Sequence, residues 1–269
     1  MQYSLIAPGD GMAAAYIDSF IRYSDRNAEG GFIRANGDYS FTMADHPARV
    51  RNARLESIDF ATHGFTLLKH ATDVDFSNTE EVQRRWYPEA CRLVKELTGA
   101  SEVFAFMGIL RGGDENLGGG PALSAHVDFN EASLRNWAQR LAPDRAAQFA
   151  NKRLVNINLW RGTRPVRCSP LAVCDRRSVE KGDFMLVRFG DAPPPPGPVP
   201  GGLNVAFNPK HRWYYYPDME PDEVIAFRLF DTADENWHMT AHTAIVDPTA
   251  APDAPKRKSY ELRTLAVLD

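Results

Sequence analysis

The chain has 269 residues, 43% hydrophobic and 25% charged, proportions that build a globular core and exclude a disordered or fibrous protein. A formal charge of −4 argues against a basic nucleic-acid surface. The apolar runs, such as Val103 to Phe106 and Leu265 to Leu268, fall far short of the ~20 residues that span a bilayer.

The N-terminal stretch MQYSLIAPGDG lacks a basic segment followed by a long apolar run, so no signal peptide is expected. The first hundred residues read as a mixed, helix-containing part. Ser77 and Glu80 have capping-box spacing. Val82, Trp86, Ala90, Leu93, Val94 and Leu97 then recur at helical spacing until Gly99 stops the helix. Glu102 to Leu110 is rich in aromatic and branched residues and predicts a strand. Gly118 to Gly120 is no phosphate cradle, because no Gly-Lys-Ser/Thr follows, but it is a candidate hinge. A second helix is predicted from about Glu131 to Phe149, with Leu134, Trp137 and Leu141 on one face.

From Arg153 to Trp160 apolar and polar residues alternate, Val155, Ile157 and Leu159 against Asn156, Asn158 and Trp160. Phe184 to Phe189, Val224 to Phe230, His242 to Val246 and Lys258 to Leu268 complete the strands. The proline-rich run Ala192 to Gly202 is a loop, because its prolines cannot donate ladder hydrogen bonds. This texture predicts a mainly β chain with flanking helices around a double-stranded β-helix (jelly roll, cupin-like) core. A single domain over 1–269 is expected, with residues 1–100 packed on a core of 101–269. Cys91, Cys168 and Cys174 form no Cys-x-x-Cys pair, which suits reduced thiols in the cytoplasm.

His126 and Asp128 stand two apart in Ser124-Ala125-His126-Val127-Asp128, so in a strand both face the same side and can reach one metal ion. Two histidines and one carboxylate leave three coordination positions open, which lets iron(II) bind a bidentate oxoacid and O2 together. His211, His238 and His242 can each supply the second imidazole. His242 opens an apolar, strand-like run and is preferred. His238 lies in a polar run, and His211 follows Asn208-Pro209-Lys210 in a turn. On the last strand Arg257, Ser259, Glu261 and Arg263 share one face, and an arginine and a serine at i and i+2 can clamp a carboxylate. With the triad upstream, that clamp suits the far carboxylate of 2-oxoglutarate. Glu261 and Arg263 can pair with each other. Trp160, Arg161, Tyr214, Arg263 and Arg111 are candidate substrate contacts. Adjacent strand residues point opposite ways, so at most one of Tyr214 and Tyr215 reaches the pocket.

The order His-x-Asp, distal His, Arg-x-Ser resembles that of the Fe(II)/2-oxoglutarate-dependent oxygenases. A narrower resemblance rests on Asn158-Leu159-Trp160-Arg161, Ser169-Pro170-Leu171-Ala172 and Phe207 to Tyr215 (FNPKHRWYY). It continues through Phe230-Asp231, His242-Thr243-Ala244 and Arg257 to Arg263 (RKSYELR). This series is similar to the hydroxylase/desaturase family of secondary metabolism, AsaB-like and related to gibberellin desaturase and the cephamycin C7-hydroxylation component. It covers about residues 100 to 264. Ala241 stands where that family often has proline, and Ile245 where it has an aromatic.

The resemblance implies bound iron(II), 2-oxoglutarate and O2 as cosubstrates, and release of succinate and CO2. Hydroxylation, desaturation or ring closure of a small-molecule substrate would follow, with no nucleic-acid or membrane partner. A cupin-like metal isomerase or hydrolase would use the same triad without needing Arg257 and Ser259. A non-catalytic binding protein would need none of the ligands.

Overall fold

Inward and outward residues alternate through two antiparallel-rich sheets, and their shared inner face carries both the core and the candidate metal ligands. The computed structural model describes residues 14–26, 30–112, 120–190 and 197–269. The N-terminal stretch MQYSLIAPGDG, Gly118 and Gly119, and residues 192–196 of the proline-rich loop lie outside them.

The smaller sheet has five strands in the order β4 (Phe65–Lys69), β12 (Glu223–Asp231), β7 (Arg153–Gly162), β14 (Ser259–Leu268) and β5 (Glu102–Arg111), every neighbour antiparallel. The larger has nine: β1 (Tyr16–Ser24), β3 (Met43–Asn52), β11 (Trp213–Tyr215), β8 (Leu171–Cys174), β13 (His242–Ala244), β6 (His126–Val127), β10 (Gly202–Val205), β9 (Phe184–Phe189) and β2 (Gly31–Ile33). The sheets face each other in the expected jelly-roll arrangement. Val50, Val173 and Leu203 from the larger sheet share one core with Leu154, Ile225, Phe227 and Leu265 from the smaller.

The strand over Arg153 to Gly162 is buried from Leu154 onward. Both its faces are covered, so its polar residues are interior as well. Val155, Ile157 and Leu159 point away from the larger sheet into a second core. There they meet Val82, Trp86, Ala90 and Val94 of the N-terminal helix. Each large apolar side chain so buried contributes roughly 1.5–3 kcal/mol.

That helix begins one residue later than its capping-box spacing predicts. Asn78 is the cap and accepts from the Glu81 amide at 3.1 Å, while Ser77 is held in a turn by Asp75. It runs as α2 (Thr79–Glu81), a π-helical turn over Val82–Trp86, and α3 (Tyr87–Thr98), ending at Gly99 in left-handed conformation. A short α1 (Phe60–His63) precedes it. The predicted second helix is broken into α4 (Glu131–Leu141), a 3-10 turn over Pro143–Arg145, and α5 (Ala146–Phe149). The break falls where Ala142 precedes Pro143, whose ring disfavours helical geometry at the residue before it.

The main difference from expectation lies in the first hundred residues. They supply β1 to β4 as well as a helix, so this part extends both sheets. Among the described residues no helix is long and apolar enough to cross a membrane, and Cys91, Cys168 and Cys174 are free thiols.

Candidate active site

The inner face of the smaller sheet is divided along its length. On β14 the inward residues pass from Glu261 and Arg263 to Leu265 and Val267, and on β7 from Trp160 and Asn158 towards Leu154. At the polar end two neighbouring strands of the larger sheet bring the histidines together. His242 of β13 pairs directly with His126 of β6, their ring centroids 4.2 Å apart. Asp128 follows two residues later on the same side. Ligand atoms of His126, Asp128 and His242 all lie within 4.8 Å of one another. His211 and His238 are elsewhere: His211 pairs with Asp183 at 3.1 Å and His238 with Asp234 at 3.2 Å.

The electrostatics suit a metal. Nδ1 of His126 lies 2.7 Å from the Ser124 carbonyl, which can only accept, so Nδ1 carries the proton and Nε2 keeps a free lone pair. Nδ1 of His242 is buried and, among the described residues, meets no hydrogen-bond partner. Burial, and for His242 also the His126 imidazole beside it, holds both rings below the ordinary histidine range, so they are neutral at pH 7. Burial alone would raise the Asp128 carboxyl. The Arg263 guanidinium, with the Asn158 amide, outweighs it and keeps it well below the usual carboxylate range. Two neutral imidazoles and one ionised carboxylate on one face are a donor set that fits iron(II) with three positions left open.

Beside the triad a narrow cleft is lined by Arg111, Trp160, Leu171, Arg257 and Glu261 together with His126 and His242. Arg257 is buried, lies over the Trp160 ring at 5.3 Å and donates to the Ser169 carbonyl at 2.8 Å. Among the described residues it has no carboxylate within ion-pair distance, and burial, with Arg111 near it, lowers its guanidinium to about 10. A buried cation so placed invites an anion from outside the chain. Ser259 is buried where β14 meets Arg111 and Gly162. Gly112, with φ 75°, lets β5 pass this point, since a Cβ there would stand 2.0 Å from the Arg257 carbonyl oxygen.

A wider cavity of about 400 Å³ borders His126 and Asp128. Met107, Phe129, Val187 and Leu203 wall it, Arg111 and Arg263 reach it, and Ile33, Tyr39 and Phe189 line it too.

The remaining candidates divide cleanly. Trp160 and Arg111 line the cleft. Arg263 borders the wider cavity, but its guanidinium fork is held by Asp128, which removes it as a free substrate contact. Arg161 is on the opposite face of β7, with Val155, Ile157 and Leu159. It lies over the rings of Phe76 at 5.2 Å and Trp86 at 5.0 Å and donates to the His70 and Pro221 carbonyls. Tyr214 is buried in β11, donates to Glu56 at 3.0 Å and lines neither cavity. Neither residue reaches the site. Arg161→Ala is therefore expected to lower stability in urea by about 2 kcal/mol through lost ring contacts, with cosubstrate affinity unchanged.

Met107, Phe129 and Asn204 were not singled out by their sequence. Asn158 stood in the motif Asn158-Leu159-Trp160-Arg161 and on the alternating face of Trp160, but no role at the metal was read from it.

The profile of the family described as oxidoreductase/YMDC permease-like domain matches residues 21–267. The chain is 29% identical to the hydroxylase/desaturase efuI of Hormonema carpetanum, over 93% of this chain and 94% of the relative. It is 28% identical to the Fe(II)/2-oxoglutarate-dependent dioxygenase nvfI of Aspergillus novofumigatus (strain IBT 16806), over 84% of each. A solved structure of the iron and alpha-ketoglutarate-dependent endoperoxidase NvfI superposes with a TM-score of 0.85 at 25% identity, over 96% of this chain and 99% of that one.

Proposed function

We infer that this chain, which belongs to the oxidoreductase/YMDC permease-like domain family, holds iron(II) on His126, Asp128 and His242 and receives the far carboxylate of 2-oxoglutarate on Arg257 and Ser259. It is an Fe(II)/2-oxoglutarate-dependent dioxygenase of the hydroxylase/desaturase kind found in secondary metabolism, and its substrate is a small molecule. The observation that carries the ligand assignment is the meeting of the three side chains next to a buried arginine that, among the described residues, has no carboxylate within ion-pair distance.

Iron(II) bound there supplies the redox chemistry that couples decarboxylation of 2-oxoglutarate by O2, giving succinate and CO2, to attack on a substrate C–H bond. The chain's own work is placement. The proton on His126 Nδ1 orients that ring with Nε2 free. The Arg257 guanidinium and the Ser259 hydroxyl fix one end of the cosubstrate, and Trp160 backs the arginine. The walls at Met107, Phe129, Val187 and Leu203 bring an apolar substrate to the ligands and limit water there. Arg111 stands between cleft and cavity and can meet either ligand. The whole chain acts as one oxygenase domain on this reading. It works in the cytoplasm, which the three free cysteines favour, and without nucleic acid, which the net charge of −4 favours.

Anaerobic titration of the apoprotein with iron(II) and then 2-oxoglutarate tests this reading. A weak visible metal-to-ligand charge-transfer band is expected once the oxoacid chelates the metal. Bound metal with no band would overturn it in favour of a metal isomerase or hydrolase.

A further inference from the structure

Around Asp128 the donors are unequally shared. Arg263 Nε and Asn158 Nδ2 both reach Oδ2, at 3.0 and 2.7 Å, whereas Oδ1 receives only Arg263 Nη2, at 2.8 Å. A carboxylate has about two acceptor directions on each oxygen. Oδ2 is thereby filled, and Oδ1 keeps one direction, on the side where His126 Nε2 lies 3.8 Å away. The network is braced from behind. Glu261 Oε1 accepts from Asn158 at 3.1 Å and stands 3.4 Å from Arg263 Nε, and the guanidinium lies over the Phe129 ring at 5.3 Å. Every group in it is buried or nearly so, so the carboxylate has little room to rotate.

Given Asp128 as an iron ligand, we propose that Arg263, assisted by Asn158, is a positioning residue that makes Asp128 a one-oxygen ligand and so keeps open the coordination position a second carboxylate oxygen would fill. That position is one of those 2-oxoglutarate needs for two-point chelation. The fork is the operative feature, because a point charge neutralises Asp128 without engaging both oxygens. With the fork removed, Oδ2 is free to turn to the metal. Iron then stays bound while the oxoacid meets a site with one vacancy fewer.

The test compares the wild-type protein with Arg263→Met, Arg263→Lys and Asn158→Ala, each loaded anaerobically with iron(II) and titrated with 2-oxoglutarate. Iron affinity is read separately by equilibrium dialysis. Both Arg263 variants are expected to retain iron while their 2-oxoglutarate dissociation constant rises about 10–100-fold and the charge-transfer band fades. Asn158→Ala, which leaves the ion pair in place, should move the same way by a smaller factor. It decides the matter if the Arg263 variants fail to fold, as seen by circular dichroism. A wild-type 2-oxoglutarate affinity and band in the folded variants would overturn the proposal. So would loss of iron itself, or full rescue by lysine, because each makes the arginine a charge partner and not a geometric one. A wild-type protein that binds iron yet shows no band removes the 2-oxoglutarate reading, and this proposal with it, while the triad stands.

Discussion

Asp128→Ala is expected to lose metal binding and about 3–5 kcal/mol of folding stability together, because it removes one half of a buried ion pair as well as a ligand. Arg263 donates to both oxygens of that carboxylate and is itself buried. Without Asp128, Glu261 is the acid left beside the guanidinium, 3.4 Å from Arg263 Nε, and it makes no forked contact like that of Asp128. The remaining guanidinium is left under-compensated in a low-dielectric interior. For a chain of this size the loss corresponds to a melting-temperature drop on the order of 10 °C in the metal-free protein. His242→Ala removes a ligand with no such partner, so it should abolish iron binding with a much smaller drop. Adding Arg263→Met to Asp128→Ala should recover most of the stability and none of the metal binding. Thermal unfolding of the four apoproteins checks this. A melting temperature for Asp128→Ala equal to that of wild type would mean that the pair does not brace the fold.

The second large effect is at Arg257, two residues before β14 begins. Arg257→Ala should weaken 2-oxoglutarate by about 10²–10³-fold, the range for losing one partner of a buried, hydrogen-bonded charge pair. Iron affinity should stay near wild type, since Arg257 touches no ligand and is anchored to the Ser169 carbonyl. Arg257→Lys should recover only part of the loss, because an ammonium cannot reproduce the two-point contact. The measurement is the charge-transfer titration repeated in each variant. Unchanged cosubstrate affinity in Arg257→Ala would remove the clamp assignment and leave the triad standing.

The i, i+2 spacing of His126 and Asp128 made a shared face legible, and the apolar run after His242 singled it out over His211 and His238. The structure brings those three together. The face shared by Arg257, Ser259, Glu261 and Arg263 was legible for the same reason, but the role of Arg263 was not. Its partner comes from a distant strand, and period-two reading cannot pair strands. Arg161 shows the converse. Its odd-numbered place after Val155, Ile157 and Leu159 puts it on the helix-covered face, so the alternation already argued against a place in the pocket. The N-terminal strands were harder to see. In β3, Met43–Asn52 contains Pro47 and several charges and is largely exposed over its first half, so it lacks the apolar alternation of an interior strand. It pairs with β1 on one side and with β11, far along the chain, on the other.

The cavity is assembled from two sources. It is lined by His126 of β6, Asp128 just after it and Arg263 of β14, while Ile33 and Tyr39 come from the segment around β2, which forms an edge of the larger sheet. On the proposed reading, part of the substrate wall is thus encoded apart from the ligands. Exchanging residues 30–41 between relatives is expected to change which molecules are admitted while iron binding stays.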